Sequence, residues 1–133
     1  MEWNYVQPIK NKRVINEFSL MVDYVFSDEY LDFIEEYNGG RPDKRNFVTA
    51  EGNKYTLKTF LSFNKDDMDN VWDIIDWSED LVQDKREIPF AIDAYDNLIC
   101  FNCEDNKIIF CDTETAEIEE IAEDFEEFLE KLS

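Results

Sequence analysis

Apolar positions follow a helical period at both ends of the chain and in one central stretch, and a strand-like period between them. Val14, Ile15, Phe18 and Met21 recur as on one face of a helix. After a break, Ser27 can cap a second helix. Its first turn holds Asp28 and Glu29, the sign that favours the positive end of the helix dipole. The apolar side of that helix is Tyr30, Leu31, Ile34 and Tyr37, and Asn38-Gly39-Gly40 ends it, because glycine just past a helix adopts the left-handed conformation without a Cβ clash. Pro42 then forbids continuation.

Phe47-Val48 and Tyr55 with Leu57 read as two short strands around a turn at Glu51-Gly52-Asn53. Phe60, Leu61 and Phe63 continue the apolar run. Residues 66–77 revert to a helical period, with Met68, Val71, Trp72 and Ile75 at i, i+3, i+4 and i+7. From Ile88 the pattern is strand-like again, with Pro89 marking a strand start or an edge. Residues 98–103, 107–111 and 117–121 read as an antiparallel meander, separated by turn signals at Asp96-Asn97, Asp105-Asn106 and Thr113-Glu114-Thr115. Asp124 and Glu127 resemble a capping box ahead of a closing helix with Phe125, Phe128, Leu129 and Leu132 on its apolar side. The predicted fold is α+β: a mainly antiparallel sheet with a C-terminal meander, flanked by N-terminal, middle and C-terminal helices, in a single domain spanning residues 1–133.

Composition sharpens this picture. The 133 residues include 11 Phe, 6 Tyr and 3 Trp, an aromatic content that disordered chains lack. A domain of about 150 residues buries roughly 68–70% of its unfolded surface, so one core suffices without disulfides. No stretch approaches the roughly 18 consecutive apolar residues of a membrane helix, and no basic-then-apolar leader opens the chain. A cytoplasmic location is the expectation. Three cysteines, an odd number that cannot form a closed disulfide framework, agree with it.

Charge changes the picture most. Acidic residues outnumber basic ones by 33 to 13, there is no histidine, and the formal net charge is −20. Phosphate binding needs clusters of Lys and Arg, which excludes nucleic acid as the natural partner. An anionic membrane surface repels such a chain for the same reason. The excess is uneven: residues 1–45 carry 6 bases against 9 acids, residues 46–99 carry 5 against 12, and residues 100–133 carry 2 against 12. A basic partner is expected to be steered toward the middle and C-terminal regions.

Candidate chemistry is sparse. Without histidine the usual general base near neutral pH is missing, and the chain has neither a Gly-rich phosphate loop nor a nucleophile elbow. No catalytic residue, metal site or cofactor is expected. Cys100 and Cys103 fall in a strand where side chains alternate, so they are expected on opposite faces, with Cys111 the one remaining thiol. Calcium-loop spacing is absent. One feature stands out. Asp66, Asp69, Asp73, Asp76 and Asp80 are spaced 3, 4, 3 and 4, which on a continuous helix places all five within an arc of roughly 80°. Trp77 borders them, opposite the apolar stripe. Like charges at i, i+4 destabilise a helix, so folding alone gives no reason for the stripe. It reads as a solvated face or as a docking stripe for a basic surface, with Trp77 as an aromatic anchor. Asn38-Gly39-Gly40 likewise reads as a helix stop, or as a place where a partner backbone could approach.

Four blocks in order carry a family resemblance. They are Phe26-Ser27-Asp28-Glu29-Tyr30 leading through Phe33-Ile34 to Tyr37-Asn38-Gly39-Gly40-Arg41-Pro42; Phe60-Leu61-Ser62-Phe63-Asn64; Ile88-Pro89-Phe90-Ala91-Ile92-Asp93 with Asn97-Leu98-Ile99-Cys100-Phe101; and Ile121-Ala122-Glu123-Asp124-Phe125-Glu126-Glu127-Phe128-Leu129. Together, from about Val14 to Leu132, the chain resembles the SUKH superfamily of Smi/Knr-type domains. Two positions depart from the family pattern: Ser27 stands where Pro is common, and Asp96-Asn97 where Gly is usual. The resemblance implies an α+β fold and a binding function. Many members are bacterial immunity proteins of polymorphic toxin systems, while others are regulators or adaptors, notably in fungal cell-wall signalling. It implies a non-enzymatic immunity protein that binds and neutralises a cognate secreted toxin domain, often a nuclease, and the acidity of this chain adds that the domain is expected to be basic. The alternative is a regulatory adaptor of the same fold with no toxin partner. The chain itself is expected to be a monomer or weak dimer.

Overall fold

Trp3 anchors the start of the chain. It stacks on Tyr37 at 4.7 Å between ring centroids and meets Phe33 edge-on at 5.2 Å. That contact lets β1 (Trp3–Asn4) pair with β2 (Arg41–Pro42) in a small antiparallel ribbon. The computed structural model describes residues 1–82 and 86–133. Between those two strands lie α1 (Arg13–Val22) and α2 (Asp28–Tyr37). The Ser27 hydroxyl accepts the Tyr30 N–H at 3.3 Å, so serine caps α2 where proline is usual in the family pattern. Phe18 and Val22 are the buried residues of α1, whereas Met21 is 54% exposed. The buried stripe therefore closes on Val22, one i+4 step from Phe18, and not on Met21.

The main sheet has six strands in sequential order, every neighbouring pair antiparallel: β3 (Asn46–Val48), β4 (Lys54–Phe60), β5 (Glu87–Asp93), β6 (Leu98–Asn102), β7 (Ile108–Cys111) and β8 (Ile118–Ala122). The expected α+β class and the C-terminal meander are both present. The register shifts at three places, between Leu57 and Thr59, Pro89 and Ala91, and Ile108 and Ile109. Such irregularities bend a strand and increase its twist. The sheet curls far enough for its two ends to meet. Ala50 N–H, at the tip of the β3–β4 hairpin, donates to the Glu120 carbonyl on β8 at 2.8 Å, and Tyr55 stacks on Phe110 at 3.9 Å. Asn46 exchanges two backbone hydrogen bonds with Ser133, which covers part of the outer edge of β3.

Pro89 lies inside a strand that has neighbours on both sides, not at a strand start. It is tolerated because β4 makes its last pair at Phe60 and Ala91, and because the β5–β6 register shifts there. Asp93 closes the β5–β6 hairpin. Its carboxylate, 1% exposed, accepts the N–H groups of Tyr95 at 2.9 Å and Asn97 at 2.8 Å. Asp96 takes the left-handed conformation (φ +62°), which aspartate tolerates in a tight turn.

α5 (Phe125–Lys131) follows β8, and the Asp124 carboxylate caps it by accepting the Glu127 N–H at 2.8 Å. α2 and α5 cover the concave face of the sheet with interlocking rings. Tyr30 meets Phe101 at 4.9 Å and Phe125 at 5.1 Å, and Phe90 meets Phe128 at 5.6 Å. Burying each such ring stabilises the fold by roughly 1.5–3 kcal/mol. α3 (Val71–Trp77) and the single turn α4 (Glu79–Val82) pack against β5. Among the described residues no helix is long and apolar enough to cross a membrane.

Candidate functional site

Residues 66–77 do not form one helix. Asp69 adopts a left-handed conformation (φ +51°), and Asn70 starts α3 by accepting the Asp73 N–H on its side-chain oxygen at 2.8 Å. An Asn cap preceded by a left-handed residue outcompetes the apolar periodicity, which extended too far toward the N-terminus. Met68 accordingly is 86% exposed at a loop apex and belongs to no buried stripe.

The five aspartates therefore separate into two groups. Asp66 and Asp69 lie in the loop and are neutralised. The Lys10 ammonium is 2.8 Å from Asp66, while Lys58 and Arg41 are 3.4 and 4.0 Å from Asp69. The Lys10 contact also holds the Asp66 carboxyl below its usual range. Asp73, Asp76 and Asp80 are exposed on α3 and α4, with no basic partner among the described residues. Trp77 stands with them, one helical turn from Asp73, with its ring 59% exposed and not folded back into the core.

The loop itself is built as a polar lattice. Asn38, 1% exposed, donates from Nδ2 to the Gln7 carbonyl at 2.7 Å and to the Ser62 hydroxyl at 2.9 Å, and its Oδ1 accepts the Phe63 N–H at 2.9 Å. Ser62 passes the chain on to Asp67 at 2.7 Å, and Asn64 donates to the same carboxylate at 2.9 Å. Gly39 has the expected positive φ (+69°). Gly40 serves close approach within the chain: a Cβ there would lie 2.9 Å from the Tyr37 carbonyl and 3.1 Å from the Trp3 ring. Asn38-Gly39-Gly40 thus joins α2 to the N-terminal segment and to the loop after β4.

A second acidic surface lies along α2. Tyr30, Phe33 and Ile34 face the core. At 100° per residue, Asp28, Asp32, Glu35 and Glu36 fall within an arc of roughly 100° on the opposite side. They form one lip of an open groove between α1 and α2, about 730 Å³ in volume, floored by the half-buried side chains of Ile9, Ile15 and Leu31. The i, i+4, i+7, i+8 spacing of those acids was as legible in the sequence as the later aspartates. It was obscured because the basic residues of the first third cancel it in a linear count.

The aromatic cleft beside Phe26, Phe101 and Phe125 is rimmed by Asp28, Glu29, Asp124 and Glu126. Burial pushes the Cys100 thiol well above its ordinary value, so it is held as the weakly nucleophilic thiol. Burial, only partly offset by Arg86, raises Cys103 as well. Cys103 lies one residue past the end of β6, beyond the reach of strand alternation, and among the described residues no disulfide links the cysteines. Among the described residues no three His, Cys, Asp or Glu side chains converge as metal ligands.

The profile of the SMI1/KNR4 family (SUKH-1) matches residues 11–131, which includes α1 through α5 and every strand of the six-stranded sheet. The chain belongs to the SUKH-1 family. No individual curated protein matches it. Within this SUKH-1 chain all four resemblance blocks fall on structural joints: the α2 cap and stop, the loop lattice, the β5–β6 hairpin and the α5 cap. The carboxylates of α2, α3 and α4 lie for the most part outside those joints.

Proposed function

We propose that this protein is a non-enzymatic immunity protein that binds and neutralises a cognate secreted toxin domain of basic character, such as a nuclease. Membership of a family known for immunity proteins in toxin systems supports the reading. The observation that carries it to a basic partner is the row of carboxylates that meet no basic side chain among the described residues, Asp73, Asp76 and Asp80, beside the exposed Trp77. Carboxylates at this density imitate the charge a phosphate-binding surface receives and accelerate encounter. Trp77 supplies the aromatic contact that dominates many interfaces. Asp66 and Asp69 contribute less, because their charge is already met within the chain.

The test is co-expression with the C-terminal domain of any large secreted protein encoded beside its gene, read as growth. Rescue by this protein, with the two chains co-purifying, is the expected result. Growth arrest despite soluble, folded protein would overturn the reading.

A further inference from the structure

We infer that the groove between α1 and α2 receives a cationic amphipathic helix from the partner, so that α2 supplies a defined seat in addition to the general acidity of the surface. The inference rests on the proposed basic protein partner and adds where and by what element it binds.

Three observations converge on this groove. Its floor is apolar and accessible, since Ile9, Ile15 and Leu31 pack on the core from one side and remain half-exposed on the other. Its lip is of one charge sign. Asp28, Asp32 and Glu36 have no basic side chain within ion-pair distance among the described residues. The fourth lip position shows what the lip accepts, because the ammonium of Lys12, from the chain just before α1, reaches Glu35 at 3.1 Å. One lysine head on one lip carboxylate is the contact a partner would repeat along the others.

Spacing selects a helix. Asp28, Asp32 and Glu36 repeat every four residues, about 6 Å apart along the axis and roughly 12 Å in all. A partner helix with Lys or Arg at the same interval faces all three and lays aliphatic residues at i, i+3 and i+4 onto the floor. An extended segment would gain no backbone pairing here, because the groove is lined by helices and the N-terminal segment and offers no strand edge. The long stems of Lys and Arg add apolar contact of their own.

The probe is a labelled synthetic peptide of about 15 residues, made of Leu and Lys in a helical period, long enough to form a marginal helix in water. Its control is the same composition with the order scrambled. Binding is read by fluorescence anisotropy at physiological salt. The triple variant Asp28→Asn, Asp32→Asn and Glu36→Gln should weaken binding about tenfold, whereas Glu104→Gln, Glu114→Gln and Glu117→Gln, an equal change in charge at exposed positions outside both acidic surfaces, should weaken it less than about twofold. Scrambling should also cost about tenfold. Equal losses in the two triple variants, or equal binding of the scrambled peptide, would mean that only net charge is read and would overturn the inference. On unmodified protein, methyl resonances of Ile9, Ile15 and Leu31 should shift on peptide addition; shifts confined to other surfaces would overturn it too. Peptide binding at the groove without growth rescue removes the toxin and keeps the seat, and rescue that survives the α2 triple variant removes the seat alone.

Discussion

Glu119 on β8 holds the curled sheet closed, and removing its carboxylate should be costly. Its Oε1 accepts the Thr49 hydroxyl at 2.8 Å and the Asn53 amide at 2.6 Å, and its Oε2 accepts the Tyr55 phenol at 2.8 Å. All three donors come from the β3–β4 hairpin, at the opposite end of the strand order. Asn53 is exposed and recovers water when the carboxylate is lost, but Thr49 is only 4% exposed and Tyr55 is half-buried under Phe110. Two hydrogen bonds to a charged group, each with a donor that water replaces poorly, put Glu119→Ala at about 2–4 kcal/mol. For a chain of this length that is a fall of roughly 6–12 °C in Tm. Glu119→Gln keeps the shape and one oxygen and should lose about 1 kcal/mol. Urea titration of the three proteins measures both values. The pH dependence carries a sign. Burial alone would raise the Glu119 carboxyl, but the bonds from Asn53, Thr49 and Tyr55 outweigh it and hold it below its ordinary 4.5. A carboxyl lowered by folding stabilises fully above that ordinary value and loses its contribution as pH falls through the folded one. The stability gap between wild type and Glu119→Gln should therefore shrink in acid. Burial, with the bond to Glu119 second, pushes Tyr55 up to about 12 from 10.0. Its contribution is present below pH 10 and lost as pH rises toward 12, and Tyr55→Phe should flatten that limb. A loss under about 0.5 kcal/mol for Glu119→Ala, or a gap insensitive to acid, would refute the idea that this carboxylate closes the sheet.

Three further outcomes follow from neighbouring geometry. Asn38→Ala strips a buried hub of three hydrogen bonds and should cost about 2–4 kcal/mol in urea titration, with hydrogen exchange accelerating at Phe63. Gly40→Ala forces a methyl against the Tyr37 carbonyl and the Trp3 ring; it should cost about 1–3 kcal/mol and red-shift tryptophan emission as Trp3 loosens. Asp73→Asn with Asp76→Asn should slow association with a basic toxin domain several-fold and flatten its salt dependence. Asp69→Asn should leave the association rate near wild type, because Lys58 and Arg41 already meet that charge; stopped-flow mixing across ionic strength separates the two.

Local chemistry explains which features were legible along the chain. Ser27, Asp124 and the Asn38-Gly39-Gly40 stop act through backbone groups a few residues away, so the ends of α2 and the start of α5 follow from neighbouring residues. The meander after Ile88 was readable for the same reason, since each strand pairs with the next one in the chain. The extent of the middle helix was not. Its first turn was taken over by Asn70 and by the bonds that Ser62 and Asn64 make to Asp67, partners whose convergence depends on where β4 ends. The charge surface escaped for a deeper reason: a count along the chain adds Lys10 and Arg41 to the acids of α2, although folding turns them to Asp66 and Asp69 instead.

By itself, then, the sequence determined the α+β class, the family, the acidity and the residues that bound α2 and start α5, the last of these set by neighbours a few residues away. Only the tertiary structure decided which carboxylates keep their charge free. Lys10, Lys12, Arg41 and Lys58 reach Asp66, Glu35 and Asp69 across separations that no local pattern encodes. A Coulomb interaction depends on distance in space, and only the fold sets that distance.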